Sequence, residues 1–340
     1  MFTALALWAN VAIFLGAAAV VWFAGTRLAR YADAIAEKTG LGREILGVLL
    51  LGSMTSLPEL AVATTASLAG TPALSVNDVL GSAAINVLIL ALADAALGRG
   101  ALTSTLGSPG VLLQGVLGII LLSLVVAAVT TGDVVVLGIG AWSWLMLAVY
   151  LGSVLVITRA QGRPTWVPTS GARPHAQPQE PQPGSLRRLS AGTIAAGAAI
   201  LAAGFLLART GDALAEQTGL GASFVGAVFL ALSTSLPEVS TVLAAVRLRR
   251  YEMAISGVFG TNLFNITIIV LVDALSPGGP VLVEVGAFAG FGALMAIVLT
   301  ALFLAGMIER RDRTVLRMGF DSLAALACYA GGVAVLYQLR

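Results

Sequence analysis

Long apolar stretches alternate with short polar connections along almost the whole chain. Each stretch is at least about 20 residues long, the length that one helix needs to cross a lipid bilayer. We predict that each stretch forms a transmembrane helix. The ten stretches occupy residues 5–30, 43–69, 73–98, 110–131, 134–158, 190–210, 221–246, 253–275, 281–307 and 316–338.

A segment of different composition interrupts this pattern once. Residues 159–189 are rich in Pro, Gln, Gly and Arg, and they contain too few apolar side chains to build a packed core. We predict that this segment is a flexible, solvated linker. It divides the chain into residues 1–158 and residues 190–340, each with five predicted spans.

The composition also indicates a lipid environment. Of the 340 residues, 58% are hydrophobic and 11% are charged, whereas soluble domains carry about 25% charged residues. A cytosolic enzyme is therefore excluded, and we expect the lipid bilayer as the main partner. The single cysteine, Cys328, excludes an internal disulfide, and the single histidine, His175, excludes a zinc site of Cys and His ligands. We expect neither a cofactor nor a nucleic-acid partner.

The basic residues predict how the helices are oriented. If the linker is cytoplasmic, 17 of the 19 Lys and Arg residues lie on the cytoplasmic side, and Arg209 and Arg340 lie outside. Because cytoplasmic loops are enriched in Lys and Arg, we predict that both chain termini are outside. Arginine outnumbers lysine 18 to 1, which is typical of a GC-rich bacterial genome. The predicted location is therefore a bacterial plasma membrane.

The two halves of the chain are copies of one another. With an offset of 179 positions, residues 24–42 align with residues 203–221 at 13 identical positions of 19. The same offset aligns the two occurrences of Thr-Ser-Leu-Pro-Glu, at 55–59 and 234–238. Because each copy has five spans, the second copy must lie inverted in the membrane. Inverted repeats of this kind are typical of secondary transporters.

Each copy carries one glutamate near the middle of a predicted span. Glu59 lies in the second span and Glu238 in the seventh. A charged side chain at that depth costs about 2.5–3.5 kcal/mol or more, and no Lys or Arg lies there to form an ion pair. The compensating partner is then a bound cation or a proton. The simpler alternative is that two protonated glutamates hold neighbouring helices together.

Oxygen-bearing groups surround these glutamates in the sequence. Hydroxyls precede each glutamate by three or four residues and share its helix face, and Pro58 and Pro237 leave carbonyl oxygens without their usual donors. The alternative is that small polar side chains only mediate helix packing. A site with oxygen ligands alone suits Ca²⁺ or Na⁺ rather than zinc, copper or iron. Besides the glutamates, the candidate ligands are Thr55, Ser56, Thr234, Ser235, Ser82, Asn86, Thr261, Asn265, Gly52 and Ala231.

The two motifs resemble the α-repeats of the cation/Ca²⁺ exchanger superfamily, and most of all those of microbial Na⁺/Ca²⁺ exchangers. They cover residues 52–86 and 231–265. The first reads G-S-x-T-S-L-P-E and then G-S-x-x-x-N, and the second reads A-L-S-T-S-L-P-E and then G-T-N-x-F-N. The resemblance implies an all-helical membrane fold of ten spans in two inverted five-helix repeats, and a transporter rather than an enzyme.

The resemblance also implies a role for each candidate residue. Glu59 and Glu238 would be the central ligands shared by Ca²⁺ and Na⁺, and the first and sixth spans would slide across the rest of the protein. The remaining ligands would be hydroxyl or backbone oxygens of Thr55, Ser56, Thr234 and Ser235, the Na⁺-site residues Ser82 and Thr261, the carbonyl groups of Gly52 and Ala231, and the central amides Asn86 and Asn265.

Two features depart from the family's pattern. Many relatives have an aspartate at one of the positions of Asn86 and Asn265, whereas both are amides here. The family's usual Gly-Asn before the Gly-Ser motif is Asn77-Asp78 in the first copy. Asp78 either supplies a third carboxylate to the cation site or its entrance, or caps the third span near water.

Two further aspartates, Asp94 and Asp273, occupy equivalent positions at the ends of the third and eighth spans. They could orient loops or capture ions. Because of their position at a helix end, we expect solvation by water instead.

The combined pattern predicts a monomeric secondary antiporter that exports Ca²⁺ in exchange for Na⁺ by alternating access. Exchange of Ca²⁺ for protons at the same glutamates is the main alternative, because neither central amide can carry a charge. A cation channel is a further alternative, although two inverted copies form one asymmetric site rather than a ring. An intramembrane aspartyl protease is disfavoured, because Gly132-Asp133 and Gly211-Asp212 lie at membrane edges.

Overall fold

The structure is a computed structural model in which nearly every described residue is helical. It describes residues 2–39, 55–97, 102–105, 109–160, 185–247, 251–309, 314–315 and 318–340. The helices are α1 (Leu7–Thr39), α2 (Leu57–Leu68), α3 (Pro72–Leu97), α4 (Pro109–Thr131), α5 (Ala141–Ala160), α6 (Leu186–Thr218), α7 (Ala222–Thr234), α8 (Leu236–Arg247), α9 (Tyr251–Leu275), α10 (Val281–Glu284), α11 (Gly286–Glu309) and α12 (Phe320–Leu339).

Short elements connect some of these helices. Antiparallel strands form one hairpin before α5 and another before α12, and 3-10 turns lie at Phe2–Ala4 and Leu102–Thr105. The strands are β1 (Val135–Val136), β2 (Ile139–Gly140), β3 (Thr314–Val315) and β4 (Met318–Gly319).

The duplication extends over the whole described chain. Shifting the bounds of α1, α2 and α5 by 179 positions gives the bounds of α6, α8 and α12, and both hairpins follow the same shift. The repeat predicted from the most similar segments is therefore a repeat of complete five-helix units, including connections whose sequences have diverged.

The span count agrees with the predicted class. Eight described helices are long and apolar enough to cross a membrane, and the bent pair α7 and α8 makes a ninth. The remaining predicted span, 43–69, is described only from Thr55 onward, where it continues as α2. The all-helical membrane class is confirmed, while most of that tenth span lies outside the described residues, as does segment 161–184 of the predicted linker.

The first helix of each copy is longer than predicted. Both α1 and α6 contain 33 residues, whereas the apolar stretches predicted spans ending at residues 30 and 210. The helices continue through charged and polar residues, because a helix needs apolar side chains only where lipid surrounds it. At its start, α6 extends to Leu186, and the Ser185 hydroxyl caps it by accepting the Arg188 N–H at 3.4 Å.

The helices differ in how deeply they are buried. In α3, 89% of the most apolar window is buried, compared with 22% in α5 and in α12. The central helices α3 and α9 therefore form the core, and the outer helices present large apolar side chains to the surroundings. Such outward-facing side chains include those of Trp8, Phe23, Leu155 and Ile194. An apolar exterior around a core that contains polar groups is the arrangement expected in lipid.

Two buried aspartates hold the hairpins against the central helices. Asp94, in α3, accepts hydrogen bonds from the backbone N–H of Leu102 at 2.6 Å, from that of Gly319 at 2.7 Å and from the Ser322 hydroxyl at 2.7 Å. Its side chain is fully buried. The expectation that this helix end is solvated is therefore wrong, because protein donors satisfy the carboxylate instead of water.

The second aspartate repeats the arrangement. Asp273, in α9, accepts hydrogen bonds from the backbone N–H groups of Gly140 and Val281 at 2.8 and 2.9 Å and from the Ser143 hydroxyl at 2.6 Å. Each donor is the 179-residue counterpart of a donor to Asp94. Asp94 of the first copy therefore contacts the second copy, and Asp273 of the second copy makes the equivalent contacts to the first. Because the contacts are reciprocal, the copies are related by a pseudo-two-fold axis.

Candidate functional site

A turn or bend of the chain directly precedes each of the two helices that carry the glutamates. At Ser235 the chain bends by 44° between α7 and α8, and at Ser56 a turn precedes α2. In both copies the second residue of the new helix is proline, which has no backbone N–H to donate. That these prolines leave carbonyl oxygens without donors stays a prediction.

Each glutamate is the third residue of its new helix and is buried. The exposed fraction is 0% for Glu59 and 2% for Glu238. Within the described part of the chain, none of their four carboxylate oxygens accepts a hydrogen bond. The Thr234 and Ser82 hydroxyls lie beside Glu59, and the Thr55 hydroxyl lies beside Glu238. The two carboxylates are close enough to repel each other.

The hydroxyl groups around the glutamates form pairs that join the two copies. The Oγ atom of Ser82 is 3.2 Å from the Oγ1 atom of Thr234, and Thr55 Oγ1 is 3.5 Å from Thr261 Oγ1. The pairs are equivalent under the pseudo-two-fold axis, because both members shift by 179 positions. The structure thus brings together four of the predicted hydroxyl ligands, one pair on each side of the axis.

The two predicted amides have different surroundings. Asn86 donates from Nδ2 to Oδ1 of Asn262 at 2.9 Å, and Asn262 in turn donates to the Ala83 carbonyl at 3.0 Å. Among the described residues, neither the nitrogen nor the oxygen of the Asn265 side chain has a partner, although both are buried. Asn262 was not predicted, and its polar side chain in an apolar span was the signal that could have identified it.

Asp78 lies inside the same polar cluster. It belongs to the second turn of α3, and its side chain is fully buried. Its Oδ1 atom accepts a hydrogen bond from Thr234 Oγ1 at 3.2 Å, while Oδ2 has no partner in the described part of the chain. Of the two alternatives for Asp78, a helix cap near water is therefore wrong.

The remaining predicted ligands are distributed as follows. Ser56 and Ser235 are buried at the two helix breaks, and the Ser235 hydroxyl makes no hydrogen bond to any described residue. The Ala231 carbonyl accepts the Ser235 N–H at 3.1 Å and lies 3.4 Å from Thr234 Oγ1. Gly52 lies outside the described residues.

A π-helical turn at Val225–Leu230 leads into this site. Gly81, in α3, lies against the turn so closely that a Cβ atom there would collide with the Ala227 carbonyl group. Glycine at this position therefore permits the close approach of α3 to the turn. Such π turns often occur at functional sites, because they reposition the carbonyl groups of a helix.

Two glycines bring the long helices α1 and α6 against the glutamate helices. A Cβ atom on Gly25, in α1, would collide with the ring of Pro237, and one on Gly204, in α6, would collide with the side chain of Ala61. Gly25 and Gly204 are related by the 179-residue shift. The first helix of each copy therefore contacts the glutamate helix of the other copy.

The polar cluster presents hydroxyl, amide and carboxylate oxygens, and helices α2, α3, α7 and α9 contain no Lys or Arg. Within the described residues, three or more Asp, Glu, His or Cys side chains do not converge on a point where they could hold one metal ion. Further ligands of any bound cation would therefore be neutral oxygens. This donor set suits a hard cation such as Ca²⁺ or Na⁺.

Comparison with known proteins identifies the family. The family model described as "Sodium/calcium exchanger protein" matches residues 9–159 and 189–338, which is most of the chain. The chain belongs to the sodium/calcium exchanger family. Its members are antiporters of Ca²⁺ and other cations, so the resemblance noted in the sequence motifs is confirmed.

Individual relatives agree with this assignment. The chain is 25% identical to CaxA of Alkalimonas amylolytica over 92% of this chain and 96% of that protein. It is 28% identical to the inner membrane protein YrbG of Escherichia coli over 80% and 81% of the two chains. Among solved structures, the sodium-calcium exchanger NCX_Mj soaked with Na⁺ and Sr²⁺ has a TM-score of 0.63 at 17% identity, covering 97% of this chain and 99% of that one. This last similarity concerns the fold.

Proposed function

We propose that this exchanger exports Ca²⁺ from a bacterial cell in exchange for Na⁺ that enters down its gradient. The observation that carries the proposal is the pair of buried glutamates, whose four oxygens lack hydrogen-bond donors among the described residues. A carboxylate buried without a partner is costly. A bound cation would remove that cost, and the two negative charges match one Ca²⁺ or two Na⁺.

The ligand roles in this proposal are those that the family resemblance implies, and the positions of the described residues support them. Glu59 and Glu238 act as the shared central ligands. The hydroxyl pairs around them supply neutral oxygens on both sides of the pseudo-two-fold axis, which suits a site that is alternately loaded with Ca²⁺ and Na⁺. The further ligands in this proposal are Thr55, Ser56, Thr234, Ser235, Ser82, Thr261, Asn86, Asn265, Asp78, Ala231 and Gly52.

Obligatory exchange arises from the cost of moving the site without a cation. Two uncompensated carboxylates would have to cross the apolar part of the membrane, which is unfavourable by several kcal/mol at least. The loaded site carries no such penalty. The protein therefore changes its orientation with Ca²⁺ or with Na⁺ bound, and a leak of either ion alone is suppressed.

The proposed arrangement in the membrane has both termini outside and the 159–189 linker in the cytoplasm, because this places most Lys and Arg residues on the cytoplasmic side. The domains are residues 1–158 and the inverted copy 190–340. The cation site is formed by one chain, so the proposed functional unit is a monomer.

Exchange of Ca²⁺ for protons is the second candidate. The observation in its favour is that Asn86 and Asn265 are both amides, which leaves two carboxylates at the centre of the site. The pair of glutamates can be neutralised by two protons as well as by two Na⁺ ions.

The decisive experiment measures Ca²⁺ uptake into proteoliposomes with outward gradients of Na⁺, K⁺ or H⁺ imposed one at a time. We expect uptake with the Na⁺ gradient and background uptake with the other two. Uptake driven by the pH gradient without Na⁺ would support the proton alternative, and uptake that needs no counter-gradient would indicate a channel. The exposed Glu284, the last residue of α10, provides the control variant Glu284→Gln, which should transport normally.

A further inference from the structure

The hairpin between α4 and α5 has a turn with an unusual residue at its tip. Leu137 and Gly138 are the two central residues of the turn that joins β1 to β2. Both have a positive φ, 53° at Leu137 and 83° at Gly138, which is characteristic of a type I′ turn. Such turns favour Asn or Gly at the first position, because a bulky side chain is strained in the left-handed region. Among the described residues, Leu137 is the one non-glycine residue with a positive φ.

The side chains at this tip are apolar and exposed. Leu137 is 89% exposed, and Val134, Val135 and Val136 before it are exposed as well. Because apolar side chains are unfavourable in water, four adjacent ones indicate a surface that is covered from outside the chain. A leucine at a position where asparagine would be relaxed indicates that the apolar side chain itself is required there.

Side chains of the same segment bond to the backbone of the hairpin. The indole N–H of Trp144 donates to the Val136 carbonyl at 2.9 Å, and that of Trp142 donates to the Gly132 carbonyl at 3.0 Å. At the base of the hairpin, Asp133 accepts two backbone N–H groups through Oδ1. An environment with little water requires such internal partners, because an unpaired peptide group is costly there.

The apolar tip adjoins the lipid-facing surface of α5. This helix begins directly after β2, and only 22% of its most apolar window is buried. It exposes Leu145, Leu151 and Leu155 along its length. Because Trp144 of α5 is bonded to Val136, the hairpin lies against the start of this exposed surface. Tryptophan at the end of a span is also typical of the membrane interface.

The equivalent hairpin of the second copy has a different composition. Shifting residues 132–140 by 179 positions gives residues 311–319, which contain arginines at the positions equivalent to Gly132, Val134 and Gly138. Because the copies are inverted, the two hairpins lie at opposite surfaces of the membrane. Arginine suits the anionic headgroups of a cytoplasmic leaflet, whereas the uncharged tip of the first hairpin suits acyl chains.

We propose that the β1–β2 hairpin is a membrane anchor, whose residues 134–137 insert among the acyl chains of the adjacent lipid leaflet. The partner is lipid hydrocarbon, with which the neighbouring face of α5 is already continuous. The Gly140 N–H of the hairpin donates to Asp273 in α9 at 2.8 Å, so the anchor also holds the end of a central helix at a fixed depth. The proposal is independent of which ion drives the antiport.

The test measures the depth of the tip with a fluorescent NBD label. The single native cysteine is removed by Cys328→Ala, and the label is attached to Leu137→Cys in the full chain. The protein is reconstituted in phosphatidylcholine vesicles with or without a nitroxide group on the acyl chains. We expect strong quenching by the nitroxide lipid and little quenching by aqueous iodide. Strong quenching by iodide would place the tip in water and overturn the proposal. Quenching by neither, as burial against a second copy or another protein would give, would also overturn it.

Two reference positions calibrate this measurement. A label at Leu155→Cys, on the exposed apolar face of α5, defines the quenching of a side chain in lipid. A label at Glu284→Cys, at an exposed charged position, defines that of a side chain in water. The label at Leu137→Cys should resemble the first reference, and resemblance to the second contradicts the anchor.

A second variant tests the leucine itself. Leu137→Asn introduces a residue that suits the left-handed turn and removes the apolar tip. With the label at the exposed Val135→Cys, we expect this substitution to reduce the quenching by nitroxide lipid and to increase that by iodide. An unchanged depth would contradict anchoring by Leu137. The label at Val135→Cys also measures the depth of the hairpin if the Leu137→Cys protein does not fold.

Discussion

Two pairs of buried carboxylates occupy equivalent positions in the two copies, and they differ in how their charge is satisfied. Asp94 and Asp273 each accept three hydrogen bonds from protein donors. Glu59 and Glu238 accept none from the described residues. Burial alone therefore does not distinguish a structural carboxylate from one that binds a transported ion. The hydrogen-bond donors around the carboxylate distinguish the two kinds.

The aspartate pair and the glutamate pair differ in their donors because the hairpin contacts are permanent, whereas a transport site must bind and release an ion. A hairpin that stays in place can supply permanent N–H donors, and bonds to a charged acceptor are about twice as strong as neutral ones. A transport site must release its cation, so permanent donors would compete with the ion. Neutral hydroxyls that can reorient, such as those of Ser82 and Thr234, are compatible with both the loaded and the unloaded site.

The strongest test of this contrast replaces a glutamate by its amide. In Glu59→Gln or Glu238→Gln, we expect Na⁺-driven Ca²⁺ uptake to fall to background, because the amide cannot compensate the cation. Thermal unfolding without cations should not become easier, since the change removes a buried charge that has no donor.

The stabilisation by added Ca²⁺ should also differ between the wild-type protein and the glutamine variants. At 100 times the dissociation constant, Ca²⁺ should stabilise the wild-type protein by about 2.7 kcal/mol and leave the glutamine variants unchanged. Glutamine variants that unfold more readily without cations, or that are still stabilised by Ca²⁺, would contradict the distinction between the two pairs.

The reverse result is expected for the aspartates. Asp94→Asn and Asp273→Asn lose charge-assisted hydrogen bonds and place an NH₂ group opposite N–H donors. Each bond to a charged group contributes about 1.5–3 kcal/mol, so thermal unfolding should begin at a clearly lower temperature. Folded variant protein should retain the wild-type affinity for Ca²⁺, measured by equilibrium binding. A large loss of affinity would place these aspartates in the site.

A smaller effect is expected where the long helices contact the glutamate helices. Gly25→Val and Gly204→Val introduce side chains where a Cβ atom already collides with Pro237 or Ala61. Overpacking of this kind costs about 1–3 kcal/mol. We expect slower Ca²⁺ uptake at saturating Ca²⁺ and nearly normal Ca²⁺ binding, because the substitution affects the contact between helices and not the ligands. As a control, Gly16→Val lies in α1 with open space around its Cβ position and should transport normally.

The smallest effects are expected for substitutions of Asn86 and Asn265, and they should differ between these two amides. Asn86→Ala removes the donor to Asn262, so the protein should lose about 1 kcal/mol of stability, the usual contribution of a hydrogen bond. Asn265→Ala removes no hydrogen bond to a described residue and should leave thermal unfolding nearly unchanged while it weakens Ca²⁺ binding. Equal destabilisation by both substitutions would show that the amides are equivalent after all.

Much of the fold was predictable because its signals are local. Apolar length predicts the spans, and the 179-residue repeat predicts their duplication. The extra turns of α1 and α6 were missed because hydropathy reports where lipid lies and not where a helix ends.

The site was predictable in its residue types and less so in its pairings. Glu59 and Glu238 were conspicuous because charge is scarce in the apolar spans. The partners of Asp94 are up to 228 positions away in the sequence, so no local pattern identifies them, and solvation was the natural expectation. The bond between Asn86 and Asn262 was missed for the same reason, since it depends on how α3 and α9 pack.

The reciprocal hairpin contacts have a consequence for the origin of the chain. The last helix of the first copy, α5, follows a hairpin held by Asp273, and α12 follows one held by Asp94. In each half, the hairpin before the terminal helix therefore donates hydrogen bonds to an aspartate of the other half. A single-copy ancestor could have made the same bonds only by pairing with a second, identical molecule that lay inverted relative to it, across a two-fold axis. Gene fusion would then have preserved a dimer interface inside one polypeptide.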